Sequence, residues 1–80
     1  MKKNSLQAIL LGGKFRDLNI RQLEIIDYLL IKGRLTIRDC LKILKEIPRV
    51  TINSDLRGLR NLQIIAQKGG SRNTYYTMII

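Results

Sequence analysis

The stretch IPRVTINSDLRGLRNLQIIAQKGGSRNTYYT, residues 47–77, decides the fold of this chain. It opens with a segment whose apolar residues are spaced by four and three, namely Ile52, Leu56 and Leu59. Residues at these spacings lie on one face of an α-helix. Pro48 suits the first turn, because the N–H that proline lacks would have no partner inside the helix there. The spacing therefore predicts a helix over about residues 48–61.

The other side of this predicted helix is polar and basic. Its residues are Arg49, Asn53, Arg57 and Arg60, with Val50 and Ser54 beside them. Arginine can form two hydrogen bonds with guanine, asparagine can do the same with adenine, and an apolar side chain can contact the thymine methyl group. The pattern therefore suits a helix in the major groove of a duplex. A packed helix with a solvated back would show the same pattern, so the helix alone leaves both interpretations open.

A basic hairpin is predicted directly after this helix. Residues 62–67 have the composition of a strand, residues 68–73 that of a turn in which glycine supplies positive φ, and residues 74–80 that of a return strand. Lys68 and Arg72 flank the predicted tip, where they would reach phosphates or a minor groove. A solubilising tip would carry similar charges, but the helix and the hairpin in this order are more specific than either alone.

Two further helices are predicted upstream. Asn19 is a good N-cap for the first, Gln22 is placed to complete a capping box, and Gly33 is suited to end the helix in a left-handed conformation. The predicted apolar face of this first helix consists of Ile20, Leu23, Ile26, Leu29 and Leu30. Leu35 is predicted to add one strand residue to the hairpin.

The second helix is predicted to begin after Thr36, which caps it together with Asp39 three residues on. Its predicted inward face consists of Ile37, Cys40, Leu41 and Leu44. It closes over residues 45–48, since the residue before a proline avoids helical dihedrals. The turn into the third helix is then short, as a helix-turn-helix requires. The predicted class is α+β: a three-helix bundle with a C-terminal β-hairpin wing and a short N-terminal extension.

The charge of this small chain indicates a nucleic-acid partner, DNA or RNA. Its 80 residues carry 15 Lys and Arg against 6 Asp and Glu, a net charge of +9 at pH 7. Residues 1–17 contribute +3, residues 18–46 contribute +2 and residues 47–80 contribute +4, so the predicted recognition half is the most one-sided. An anionic membrane is the other partner class, but the long amphipathic helix that membrane binding needs is not evident.

Residues 1–17 are predicted to be an extension of a domain at residues 18–80. Ile9, Leu10 and Phe15 are costly to leave in water, so the extension is expected to dock on the domain or to mediate dimerisation. No apolar run approaches the ~20 residues that span a bilayer. No credible signal peptide is present either, and we expect a cytoplasmic protein.

The sequence offers little for catalysis. It has no histidine and one cysteine, Cys40, which lies in an apolar helical context and is predicted to be a core residue. A nucleophile with its base, a metal-ligand cluster and a phosphate-binding loop are all missing, since Gly69–Gly70 alone is too weak a signal for nucleotide binding. We expect no enzymatic activity, no metal and no cofactor.

Residues 18–77 resemble the DeoR-type winged helix-turn-helix and the related winged-helix domain at the C-terminus of many Fic-family proteins. The matching residues are Arg21–Gln22, Leu35–Thr36–Ile37, Thr51–Ile52, Asp55–Leu56, Leu59, Gly69 or Gly70, Arg72, Thr74 and Tyr75–Tyr76. The sequence departs from the family at Asn53 and Ser54, where two arginines are usual, and at Gln63, where a glycine is usual. The resemblance implies that Thr51 contacts phosphate and that Asp55 is a local structural partner.

These observations predict a duplex-DNA-binding protein, a small transcriptional regulator that acts as a homodimer. The residues expected to contact bases from the third helix are Arg49, Val50, Asn53, Ser54 and Arg57. Those expected to contact the backbone, with the hairpin at residues 66–76 as the wing, are Thr51, Arg60, Arg38, Lys68 and Arg72. The alternative is a winged-helix module that binds a protein partner and no DNA.

Overall fold

The computed structural model of the chain describes residues 17–70 and 72–79. Three helices and two strands follow in order: α1 (Ile20–Lys32), α2 (Ile37–Ile43), α3 (Arg49–Asn61), β1 (Ile65–Lys68) and β2 (Tyr75–Met78). The strands form an antiparallel hairpin in which Ile65 pairs with Met78 and Lys68 with Tyr75. The predicted extension at residues 1–17 lies, except for Asp17, outside the described residues.

Helix α1 begins and ends as its sequence predicts. The Asn19 side chain accepts a 2.8 Å hydrogen bond from the backbone N–H of Gln22, and the Gln22 side chain accepts a 3.0 Å bond from the backbone N–H of Asn19. Gly33 ends the helix with φ of 90°, a conformation that a Cβ would strain. The capping box and the left-handed C-terminal residue are therefore confirmed.

The predicted apolar face of α1 was too broad. Ile25, Ile26 and Leu29 are buried as core residues, but Ile20 is 63% exposed and Leu30 is 39% exposed. The core-facing position one turn before Ile26 belongs to a polar residue, Gln22, which is buried. Gln22 can be buried because its side-chain amide donates to a backbone carbonyl of α3, so the buried face turns toward α3 and leaves Ile20 in water.

Helix α2 is shorter than predicted. Its N-terminal capping box is confirmed, because Thr36 Oγ1 accepts from the backbone of Asp39 at 3.1 Å and Asp39 Oδ2 accepts from the backbone of Thr36 at 2.9 Å. The helix ends at Ile43, whereas the sequence predicted closure over residues 45–48. Cys40 is fully buried, but Leu41 is 42% exposed, which corrects its predicted place on the inward face. The helix has only seven residues, and Cys40 is the residue that it buries. Leu41 lies next to Cys40 in the sequence and therefore points away from the buried face.

Helix α3 carries the predicted apolar face, since Ile52, Leu56 and Leu59 are all buried. Pro48 is the N-cap rather than a residue of the first turn, with φ of −60° and ψ of 146°. The first strand begins at Ile65 instead of residue 62, because Leu62 is the C-cap of α3 and Gln63 turns the chain with φ of 59°.

A third strand position joins the hairpin to the helices, as predicted for Leu35. Its N–H donates to the Tyr76 carbonyl at 3.0 Å, and the Tyr76 N–H donates back at 2.7 Å. Both side chains are buried in a core that α1, α3 and the hairpin share. This core leaves two surfaces of interest: the outer side of α3 and the space between α2 and the hairpin.

Candidate nucleic-acid interface

A cluster of polar side chains, of which Gln22 and Asp55 are buried, fixes α3 against α1. We refer to Asn19, Arg21, Gln22 and Asp55 as the polar junction. Arg21 donates to both carboxylate oxygens of Asp55, at 2.7 Å from Nε and 3.2 Å from Nη2. Asn19 Nδ2 donates to the same carboxylate at 3.0 Å, and Gln22 Nε2 donates to the Asp55 carbonyl at 3.1 Å. The hydrogen bond that Arg21 donates to the Asp55 carboxylate raises the pKa of Arg21, although desolvation acts in the opposite direction.

The polar junction shows that Asp55 is a structural residue, as the family resemblance implied. Its partners, however, lie 34 and 36 residues earlier in the chain, so it is not a local one. Gly58 allows the close approach of the two helices, because a Cβ there would lie 2.9 Å from Gln22 Nε2. The polar junction therefore sets the orientation of α3 and of the side chains on its outer face.

The outer face of α3 presents the residues predicted to contact bases. Its exposed residues are Arg49, Val50, Asn53, Ser54, Arg57 and Arg60. Val50 is 73% exposed, which is a large exposure for an apolar side chain. Thr51, the predicted phosphate contact, is half-buried. The helix thus offers hydrogen-bond donors, an amide and one apolar side chain to a partner on that side.

A second feature lies between α2, the start of α3 and the hairpin, and we refer to it as the arginine groove. It has a volume of about 670 Å³. Its lining residues are Arg34, Thr36, Ile37, Arg38, Leu41, Arg49, Arg72, Asn73, Thr74 and Tyr75. Three of the predicted contact residues, Arg38, Arg49 and Arg72, therefore meet in one place, although they come from three different elements. Arg57, Arg60 and Lys68 lie outside the groove.

Sequence analysis missed the fourth arginine of the groove. The guanidinium carbon of Arg34 lies 4.6 Å from the centre of the Tyr75 ring, which is a cation–π contact. The predicted strand position of Leu35 could have indicated that Arg34 is exposed on the outer side of the hairpin. Neighbouring residues of a strand point to opposite sides, so a buried Leu35 places Arg34 on the outer side.

None of the described acidic residues lines the arginine groove. Asp39 is the acid of α2, and its carboxylate is occupied by the cap of that helix. The backbone N–H of Thr36 holds the pKa of Asp39 below its ordinary value, against the opposing effect of desolvation. Among residues 17–70 and 72–79, the one ion pair is that of Arg21 with Asp55. The four groove arginines therefore have no carboxylate partner within this part of the chain.

The turn at the tip of the hairpin positions Arg72 over the groove. Gly69 has φ of 83°, and a Cβ there would lie 2.2 Å from the Asn73 carbonyl oxygen. The Thr74 hydroxyl donates to the Gly70 carbonyl at 2.7 Å, and the Asn73 N–H donates to it at 3.2 Å. Only glycine fits this turn at residue 69, which explains the predicted Gly-rich tip.

Burial determines the chemistry of Cys40. Burial raises the pKa of the Cys40 thiol to about 12, so this cysteine is not a nucleophile at neutral pH. No group of three or more His, Cys, Asp or Glu residues is arranged to hold a metal within the described ranges. None of the described helices combines the length and apolar character that crossing a membrane requires.

Comparison with known structures places this arrangement among the winged helices. HlyU from Vibrio cholerae N16961, a winged-helix transcriptional regulator, is similar to this chain with a TM-score of 0.69. The two are 26% identical, and the match covers 98% of this chain and 80% of HlyU. No family model and none of the curated proteins matches the chain. The predicted α+β winged helix-turn-helix fold is therefore confirmed, while the DeoR-type or Fic-type likeness stays a prediction.

Proposed function

We propose that this protein binds duplex DNA and acts as a transcriptional regulator. The observation that carries the proposal is that one residue belongs to both basic surfaces. Arg49 belongs to the exposed outer face of α3 and also lines the arginine groove beside the hairpin. A duplex that received α3 in its major groove would bring its backbone to the groove. The structural similarity to HlyU, itself a regulator, supports the same function.

The proposed roles follow from exposure and position. Val50, Asn53, Ser54 and Arg57 would contact base edges, because they lie on the outer face of α3 away from the core. Arg38, Thr51, Arg60, Lys68 and Arg72 would contact phosphates, with the hairpin at residues 66–76 as the wing. We also propose a homodimer, because one small module seldom gives enough specificity for an operator. Such a regulator would work in the cytoplasm.

The finer likeness to the DeoR-type and Fic-type domains is proposed on one structural observation. Those domains tend to have a glycine where this chain has Gln63. Gln63 adopts φ of 59°, which is the left-handed region that glycine occupies without strain. The backbone at residue 63 thus has the conformation for which the family glycine is suited, although the side chain differs.

The first experiment is a titration of the purified protein with a fluorescent random-sequence duplex at ~50 and ~200 mM salt. We expect binding that weakens steeply with salt, because released counterions accompany every phosphate contact. Selection of a preferred sequence would follow, and sedimentation on that sequence would give the stoichiometry. Absence of binding at the lower salt concentration would refute the proposal.

Base recognition by α3 can be tested with Arg57→Ala. We expect this change to weaken binding to the selected sequence by ~1–3 kcal/mol and to relax base preference at one position. Lys45→Ala is a matched control, because it removes one exposed charge that lies outside the arginine groove. An equal loss on selected and random duplexes would assign Arg57 to the backbone instead.

A protein-binding module is the second candidate, and the exposed apolar residues of α1 favour it. Ile20 is 63% exposed and Ile31 is 72% exposed, and both lie on α1, whose described residues are not among those that line the arginine groove. Contact surfaces for proteins commonly carry such residues. A protein that binds no duplex at low salt would make this candidate the better one.

A further inference from the structure

We propose that the arginine groove is a phosphate-binding site, in which Arg34 and Arg49 are ligands of the duplex backbone. This inference rests on the proposed function and deepens it in two ways. It adds Arg34, which sequence analysis did not include among the contact residues. It also reassigns Arg49, which the helical pattern placed among the base contacts, to the backbone.

The contact between Arg34 and Tyr75 prepares the first ligand. At 4.6 Å from the ring centre, the planar guanidinium is restrained by the aromatic face while its N–H groups stay available at the edge. A restrained side chain loses less rotamer freedom when it binds a partner. Tyr75 is itself held in β2, where it pairs with Lys68. Arg34 is therefore oriented by the wing before any ligand binds.

The positive charges of the groove favour an anionic ligand. Within the part of the chain that the structure describes, four arginines and no acid line the groove, and the Asp39 carboxylate of α2 accepts a hydrogen bond from the backbone N–H of Thr36 in the cap of that helix. Arginine forms forked hydrogen bonds with phosphate, and its charge persists at all relevant pH values. The described residues supply no anionic partner to these arginines, so an anion from outside the protein would complete the site.

The groove offers hydrogen bonds of a kind that suits phosphate better than a base edge. Base edges present both donors and acceptors, whereas a phosphate presents acceptors alone. All four charged side chains that line the groove among the described residues are arginines, which donate hydrogen bonds and accept none. Its other polar lining residues are Thr36, Asn73, Thr74 and Tyr75, which are neutral. A backbone phosphate is therefore the better match.

The test compares Arg34→Ala and Arg49→Ala with the control Lys45→Ala on random duplex over a range of salt concentrations. We expect each groove variant to reduce the slope of log K against log salt by about one unit, while the control leaves the slope unchanged. Arg49→Ala should keep the ratio of affinities for selected and random sequences. A changed ratio would make Arg49 a base contact, and unchanged slopes in both groove variants would overturn the proposal.

A second arm separates the duplex backbone from free phosphate as the ligand. Inorganic phosphate replaces chloride at constant ionic strength, and the binding of random duplex is measured again. We expect phosphate to compete better than chloride with the wild-type protein, and we expect this advantage to disappear in Arg34→Ala. If phosphate competes in this way while the salt slopes of the variants stay at the wild-type value, the groove binds free anions only and the proposal fails.

The orienting role of Tyr75 needs its own variants. Tyr75→Phe keeps the ring and should bind duplex like the wild type, whereas Tyr75→Leu should bind several-fold more weakly. Thermal melting identifies any variant that is merely unfolded, and Arg34→Lys provides a second route because it keeps the charge and loses the planar stack. Equal binding by all three variants would overturn the role of Tyr75. Failure of the wild-type protein to bind duplex would instead refute the proposed function and this inference with it.

Discussion

Arginine has opposite roles in the two polar regions of this domain. In the polar junction, Arg21 donates two hydrogen bonds to the buried carboxylate of Asp55, so its charge is paired within the domain. In the arginine groove, four arginines from separate elements lie together, and none of the described residues supplies a carboxylate there. The same residue type therefore holds helices together in one region and is left unpaired by the described acids in the other.

If the groove binds DNA as proposed, the placement of acids, more than the number of bases, marks the interface of this basic protein. Asp55 of α3 and Asp39 of α2 are both bonded within the domain, Asp55 by the polar junction and Asp39 by the cap of α2. The cations around the groove are left unneutralised as a result. Four predictions test this comparison, in order of decreasing expected effect.

Asp55→Ala should have the largest effect, on stability. It removes the acceptor of Arg21 and Asn19 from a site where Asp55 is 4% exposed, and buried polar groups without partners are costly. We expect the melting temperature to fall by roughly 10 °C or more in circular dichroism melts. Asp27→Ala on α1 is the control. Similar melting of both variants would show that the polar junction adds little to the fold.

Arg21→Ala and Arg38→Ala remove the same charge from the two regions and should differ in outcome. Arg21→Ala should lower the melting temperature by several degrees, because it leaves the Asp55 carboxylate without its main partner. Arg38→Ala should leave the melting temperature nearly unchanged and lower the salt slope of duplex binding by about one unit. An exchange of these two outcomes would contradict the division into a structural and a binding region.

Asp39 should make stability depend on acid pH. Its pKa is depressed in the folded protein, chiefly by the backbone N–H of Thr36. A depressed carboxyl pKa contributes stability that is present above the ordinary value of about 4 and is lost as the pH falls through the folded value. The difference in urea stability between wild type and Asp39→Asn should therefore be largest near pH 6 and should shrink as the pH falls below about 4. A constant difference across this range would exclude Asp39 as the titrating group.

Gln63→Gly should have the smallest effect and the opposite sign. A non-glycine residue at φ of 59° is strained, so we expect the free energy of unfolding to rise by at most about 1 kcal/mol. Urea unfolding gives this value, and the salt slope of duplex binding should not change, because residue 63 lies outside both regions. A loss of stability would mean that the Gln63 side chain contributes more than its backbone strain costs.

Much of the fold could be predicted because its determinants are local. Asn19 with Gln22, Thr36 with Asp39, and Gly33 act within one helical turn, and each prediction was confirmed. The exposures of Ile20 and Leu41 could not be predicted, because they depend on how the helices pack. The burial of Gln22 likewise requires Gly58 and the Asp55 carbonyl, both more than 30 residues away.

The candidate interface, too, could be predicted only in part. Helical periodicity predicted the exposed residues of α3, such as Asn53 and Arg57, and the structure places them on its outer face. The meeting of Arg38, Arg49 and Arg72 depends on the tertiary arrangement of three elements. Arg34 is one of fifteen basic residues in the sequence, and only its contact with Tyr75 distinguishes it.

The pairing of Leu35 with Tyr76 has a consequence for the entropy of binding. Two hydrogen bonds tie the middle of the hairpin to the connection between α1 and α2, so the eight residues of β1 and β2 are ordered as part of the folded domain. Ordering a backbone costs about 1–2 kcal/mol per residue at room temperature. The backbone of the wing strands loses this entropy when the domain folds, not when a partner binds. A partner that docks there therefore meets a preorganised surface, and less of the contact energy is spent on ordering the chain.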